Sequence, residues 1–194
     1  MSQEDTQAIA RELKLHAVIL GGFVAVMWIE ELLDQFLFGG QLNTLGIYPR
    51  EPETLRGILF MPFLHGNFAH LLSNTVPFVI LGWLVMVRGI RDFFLVTAAA
   101  MLLGGLGVWL FGAPGIHIGA SGVVFGYLGF LLLRGLFERS FQAIALSLLV
   151  GFFYGGLVGG IFPGQPGISW EGHLFGFLGG ILAAKYVSRK PYRE

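Results

Sequence analysis

Cysteine is absent from the 194 residues, so no disulfide, thiolate nucleophile or cysteine-based metal site can form. Charge is scarce as well, with Asp, Glu, Lys and Arg together making only 12% of the chain. Twelve basic and twelve acidic residues cancel, which leaves no electrostatic footprint for nucleic acid. No HExxH zinc motif occurs, and no pair of aspartates lies deep in the apolar stretches, because Asp34 and Asp92 fall near their ends. Neither a metal nor a cofactor is therefore expected. Internal repeats, low-complexity segments and charged linkers are also lacking. The opening MSQEDTQAIARELKLHAV has neither the basic start nor the small-residue cleavage site of a signal peptide, so the apolar run after it reads as a retained anchor.

What is present is apolar. Hydrophobic residues make 55% of the chain, mean hydropathy is +0.73, and there are 30 glycines, a composition suited to close helix packing in a bilayer. Six stretches are long and apolar enough to cross, near 15–36, 66–87, 92–112, 119–137, 141–162 and 171–187. The expected fold class is all-α, a polytopic six-transmembrane-helix bundle spanning 15–187, with short cytoplasmic tails at 1–14 and 188–194. The long first connection, about 37–64, carries Phe38, Ile47, Phe60 and Phe63 and reads as interfacial rather than aqueous. With both termini in the cytoplasm, ten of the twelve basic residues fall inside and only Arg50 and Arg56 outside. This predicts a cell-membrane protein in which helices two, four and six all have one end at the outer level.

At that level sit polar residues that a lipid-facing helix would not choose. Helix two opens HGNFAHLLSN, where His70 and Asn74 are four apart and share a face, with His65 a turn earlier. Helix four opens GASG around Ser121, and helix six opens SWEGHLFGFLGG, with Gly176 and Gly180 on nearly the same face as His173. Each fragment has a structural reading: His70 and Asn74 as interhelical hydrogen-bond glue, Ser121 as a helix-packing position, His117 as a loop residue. The functional reading is that small residues let helix six approach helix four, bringing His173 to Ser121. A serine, a base and donors for an oxyanion are the parts of acyl-transfer chemistry. Ser121 is not the elbow serine of soluble hydrolases, because Val123 stands where that motif needs glycine.

HGNFAHLLSN, GASGVVFG and GHLFGFLGG, in this order and on these helices, resemble the rhomboid intramembrane serine proteases over nearly the whole chain. The resemblance implies Ser121 as nucleophile, His173 as general base, and an oxyanion hole from Asn74, His70 and the Ser121 amide. It further implies Gly119 as part of the serine motif, Gly176 and Gly180 as packing glycines, and His65 as a support of the loop architecture. Two positions depart from the family pattern. Phe125 replaces the common tyrosine that stacks on the catalytic histidine, and Leu55-Arg56 replaces a Trp-Arg pair in the first loop. The implied partners are single-pass transmembrane protein substrates and membrane lipids, with Phe152 and Phe153 as gate residues on helix five. Glu171 reads as an interfacial charge, which leaves a Ser-His dyad. The alternatives are a catalytically silent rhomboid-like binder of membrane proteins and a transporter.

Overall fold

The computed structural model describes residues 3–165 and 167–188. Arg189, Lys190 and Arg193, with nearly all of the expected C-terminal tail, lie outside the described residues, as does Pro166 before the last helix. Six long helices follow in order: α1 (Gln3–Leu33), α2 (Phe68–Met86), α3 (Ile90–Phe111), α4 (Ser121–Glu138), α5 (Phe141–Tyr154) and α6 (Trp170–Ser188). A π turn, Asp34–Phe38, extends α1, and a 3-10 segment, Gly155–Ile161, extends α5. Among the described residues there is no strand, only an isolated bridge pairing Ile47 with His117.

Five of these helices, counting the extensions of α1 and α5, are long and apolar enough to cross a membrane. The sixth, α6, falls short because it carries Glu171, His173, Lys185 and four glycines. It is shielded instead of apolar, packed between α3 and α4. A Cβ on Gly180 would collide with the Gly126 carbonyl, and one on Gly176 with the Gly122 carbonyl, so only hydrogen at both positions lets α6 lie backbone to backbone on α4. These contacts advance together along both chains, so α6 runs parallel to α4 and the two helices start at the same end. On its other side, Gly179 sits against the Ala99 carbonyl of α3, where an added Cβ would lie 2.8 Å away. The close approach of helices four and six predicted from the glycine spacing is therefore observed.

Helix one is longer than its apolar stretch. It is helical from Gln3 onward among the described residues, ahead of the apolar stretch near 15–36, because the exposed polar stretch 3–15 has the propensity to continue the helix beyond its apolar part. The first connection is not a featureless interfacial loop. It folds into short turns, Leu42–Leu45, Pro52–Arg56, Gly57–Phe60 and Met61–Phe63, and buries Ile47 and Met61 against Val108 of α3. Arg50 secures it, donating from Nη1 to the carbonyls of Leu110 (3.3 Å) and Gly112 (3.1 Å) at the end of α3, where a cation complements the helix dipole. At the opposite end of the bundle, Arg88 bonds Asp92 and Glu138, and Arg134 bonds Glu138. That network joins the α2–α3 turn to the end of α4.

Candidate active site

Three helix starts converge on one cavity of about 710 Å³. α2 begins there because Asn67 caps it, its side-chain oxygen accepting the His70 amide at 2.8 Å. One turn on, His70 and Asn74 face the cavity, with Ser73 and Pro77 beside them. Pro77 has no N–H, so the Ser73 carbonyl, also at the cavity wall, lacks its usual helical donor. α4 begins at Ser121, after Gly119 at φ +115°, a conformation that favours glycine. Space requires glycine there too, since a Cβ would stand 2.8 Å from His70 Nε2. As the first residue of α4, Ser121 has an amide with no intrahelical acceptor.

From α6, His173 reaches Ser121 across the glycine contact. Its Nε2 lies 2.8 Å from Ser121 Oγ, and its Nδ1 lies 3.0 Å from the Gly160 carbonyl oxygen. A carbonyl only accepts, so Nδ1 carries the proton and Nε2 offers its lone pair to the serine hydroxyl. Phe125 stacks on the imidazole with centroids 4.1 Å apart and planes 8° from parallel. The ring at this position thus orients His173 without a phenol. His173 is 8% exposed, held on one face by Phe125 and at its far edge by Gly160. No carboxylate bonds it among the described residues; Glu171 is buried two residues away while the Gly160 carbonyl occupies Nδ1.

Asn74 donates one amide hydrogen to the His70 carbonyl at 2.9 Å, which leaves its second N–H for the cavity. The His70 ring packs edge-on to His65 with centroids 5.1 Å apart. His65 itself is fully buried and structural in its contacts, since Nδ1 donates to the Phe63 carbonyl at 3.2 Å and Nε2 accepts the Ala120 amide at 3.4 Å. It ties the segment before α2 to the residue preceding Ser121. Burial, aided by the neighbouring His70, pushes its pKa down to about 4 and keeps it neutral. His117 forms a second clamp, accepting from Ser169 Oγ at 2.7 Å and donating to the Ala113 carbonyl at 2.9 Å.

Ser121, His173, Asn74, His70, Gly119 and Phe125 are thus brought together, with Gly176 and Gly180 behind them. Arg56 is not: it is exposed and without a hydrogen bond or ion pair among the described residues, while Arg50 anchors the loop. Phe152 and Phe153 are 83% and 67% exposed on α5 and point away from the cavity, so they do not line it. Gly160 was invisible to sequence reasoning because it acts through its backbone. The one signal was the paired glycines 155, 156, 159 and 160, which mark a stretch where side chains are excluded or unneeded.

The sequence pattern of the rhomboid domain matches residues 52–190, more than half of the chain. The chain belongs to the rhomboid family. This rhomboid is 45% identical over 181 residues to an uncharacterized protein of Mycobacterium tuberculosis, covering 89% of this chain and 75% of that one. A Mycobacterium leprae protein, also uncharacterized, is 41% identical over 181 residues, covering 89% and 71%. The rhomboid protease GluP of Bacillus subtilis is 32% identical over 128 residues, covering 62% of this chain and 24% of that protein. Family membership and the apolar helices make this an all-α, multi-pass membrane protein of an intramembrane protease family.

Proposed function

We propose that this rhomboid is a serine endopeptidase that cleaves single-pass transmembrane proteins by a Ser121–His173 dyad. The observation that carries the reading is the 2.8 Å contact of Ser121 Oγ with His173 Nε2, together with the Gly160 bond that sets the imidazole tautomer. His173 Nε2 takes the hydroxyl proton as Oγ attacks the scissile carbonyl, then gives it to the leaving amine. Water releases the acyl group, with His173 again the base. The Ser121 amide, the second N–H of Asn74 and the His70 ring stabilise the oxyanion. The Gly160 carbonyl does part of what a third triad member does: it orients the ring, but it brings no negative charge to the imidazolium.

The substrate class follows from where the cavity lies. It opens at the helix starts of α2, α4 and α6, near the end of the bundle instead of its middle. A substrate helix must enter from the side and unwind before its carbonyls are open to attack. α5 makes the least-buried wall, and Phe152 and Phe153 on its outer face are where an arriving helix first makes contact. The excess of Lys and Arg at the opposite end supports an orientation with both termini in the cytoplasm and the cavity toward the outer face of the cell membrane. Reconstitution into vesicles with a panel of single-pass substrates tests the proposal. Wild type is expected to cut near the outer end of the substrate helix and Ser121→Ala not to cut; cleavage surviving in Ser121→Ala would sink it.

A further inference from the structure

A second site lies at the other end of the bundle, where no catalytic residue sits. His16 of α1 is 4% exposed, and both of its ring nitrogens are buried without a hydrogen-bond partner. Glu12, one turn earlier and exposed, approaches Nε2 only to 3.9 Å, too far for a hydrogen bond. A neutral imidazole holds one donor and one acceptor, and leaving both unmade in an apolar setting is costly. His16 lines a groove of about 460 Å³ between α1 and α2, whose other walls are Leu13, Ala17, Leu20 and Val24 on one side and Val79 and Trp83 on the other. Gly21 adds to the space, because a Cβ there would meet nothing within 4 Å.

The geometry points to an anionic phospholipid in this groove, its phosphate accepting from His16 and one acyl chain lying between α1 and α2. Length supports the chain: Leu13 to Val24 covers about 16 Å of helix, close to one leaflet of a hydrocarbon core roughly 30 Å thick. Depth supports the headgroup. Trp83 lies one turn from the end of α2 at Met86, the level at which tryptophan marks a membrane interface. Basic residues stand at this level of the membrane, since Arg11 and Lys14 precede His16 and Arg91 follows the end of α2, but they lie outside the groove lining, and Glu12 shares the face of His16. A hydroxylated headgroup such as glycerol completes the match, donating to the ring nitrogen that the phosphate does not use.

Trp83 is the reporter. With Trp28, Trp109 and Trp170 replaced by Phe, its fluorescence is measured in phosphatidylcholine vesicles containing either brominated phosphatidylglycerol or brominated phosphatidylcholine as quencher. Both lipids offer His16 a phosphate, so phosphatidylglycerol is expected to quench with a relative association constant about fivefold higher, the scale of the one neutral hydrogen bond that its glycerol hydroxyl makes to the ring and a choline headgroup cannot. His16→Leu should remove that preference, and Gly21→Leu, which fills the groove, should reduce quenching by both lipids. Equal quenching by the two lipids would mean ordinary boundary lipid and overturn the proposal, as would a preference that survives His16→Leu. Native mass spectrometry of otherwise unmodified protein supplies a second measurement: phosphatidylglycerol should stay bound to wild type and be lost from Gly21→Leu, and retention by Gly21→Leu contradicts the site.

Discussion

Adding one methyl group at Gly160 should disable His173 without touching it chemically. A Cβ built there lies 2.9 Å from Phe125 Cζ and 3.2 Å from His173 Nδ1. Carbon atoms rest at about 3.5–4.0 Å, so the 3-10 segment, the Phe125 ring or the imidazole must shift by roughly 0.6 Å or more. The cheapest movement is outward displacement of Gly155–Ile161, a half-exposed stretch in which Gly155, Gly156 and Gly159 contact nothing within 4 Å of an added Cβ. That movement stretches the 3.0 Å bond from Nδ1 to the Gly160 carbonyl past hydrogen-bond range. Losing one orienting bond is worth about 1–3 kcal/mol, or roughly 5- to 150-fold in the rate of the chemical step. The assay is cleavage of a transmembrane peptide in detergent, with kcat and KM measured separately. Gly160→Ala should lower kcat by about 10- to 100-fold and leave KM and the melting temperature nearly unchanged. Gly160→Ala combined with Phe125→Leu should be faster than the two single effects added, because the smaller side chain makes room for the methyl. Wild-type kcat in Gly160→Ala would refute the orienting role.

Asn74→Ala should lower kcat by about 2–4 kcal/mol of transition-state stabilisation with KM little changed; steady-state cleavage checks it, and an unchanged kcat removes Asn74 from the oxyanion hole. Gly180→Val should abolish the folded state or lower its melting temperature by many degrees, since its side chain meets the Gly126 backbone and neither helix can yield; thermal unfolding in detergent is the measurement. His65 titrates at about 4 when folded against an ordinary 6.5, so below pH 6.5 the unfolded chain binds more protons and stability falls with pH. Between pH 8 and about pH 5 the loss should be about 2 kcal/mol; His65→Gln should lose that dependence, and an identical acid limb in the variant would show that another group causes it.

The helices and most of the site were legible because a bilayer makes sequence unusually explicit. Twenty-residue apolar runs have one structural solution in lipid, and a polar residue inside one needs a reason. Ser121, His173, His70 and Asn74 stood out on that ground, and Gly176 and Gly180 announced the contact that joins α4 and α6. What could not be read is what does not depend on side-chain polarity. The Gly160 carbonyl is a backbone group of a kind every residue carries, so no side chain marks it in the sequence. The helical stretch of α1 from Gln3 onward, ahead of its apolar part, is set by helix propensity, which hydropathy does not register. Arg50 and Arg56 are six residues apart in a loop without periodicity, so only the fold tells which arginine reaches the α3 carbonyls.

The central claim is that His173 makes Ser121 a nucleophile. A fluorophosphonate probe, which reacts with activated serines, tests it directly on detergent-solubilised protein, with the modified residue located by peptide mass mapping. A single adduct on Ser121 is expected, absent in Ser121→Ala and strongly slowed in His173→Ala. Equal labelling of wild type and Ser121→Ala, or an adduct on Ser169 or Ser73 instead, would contradict it.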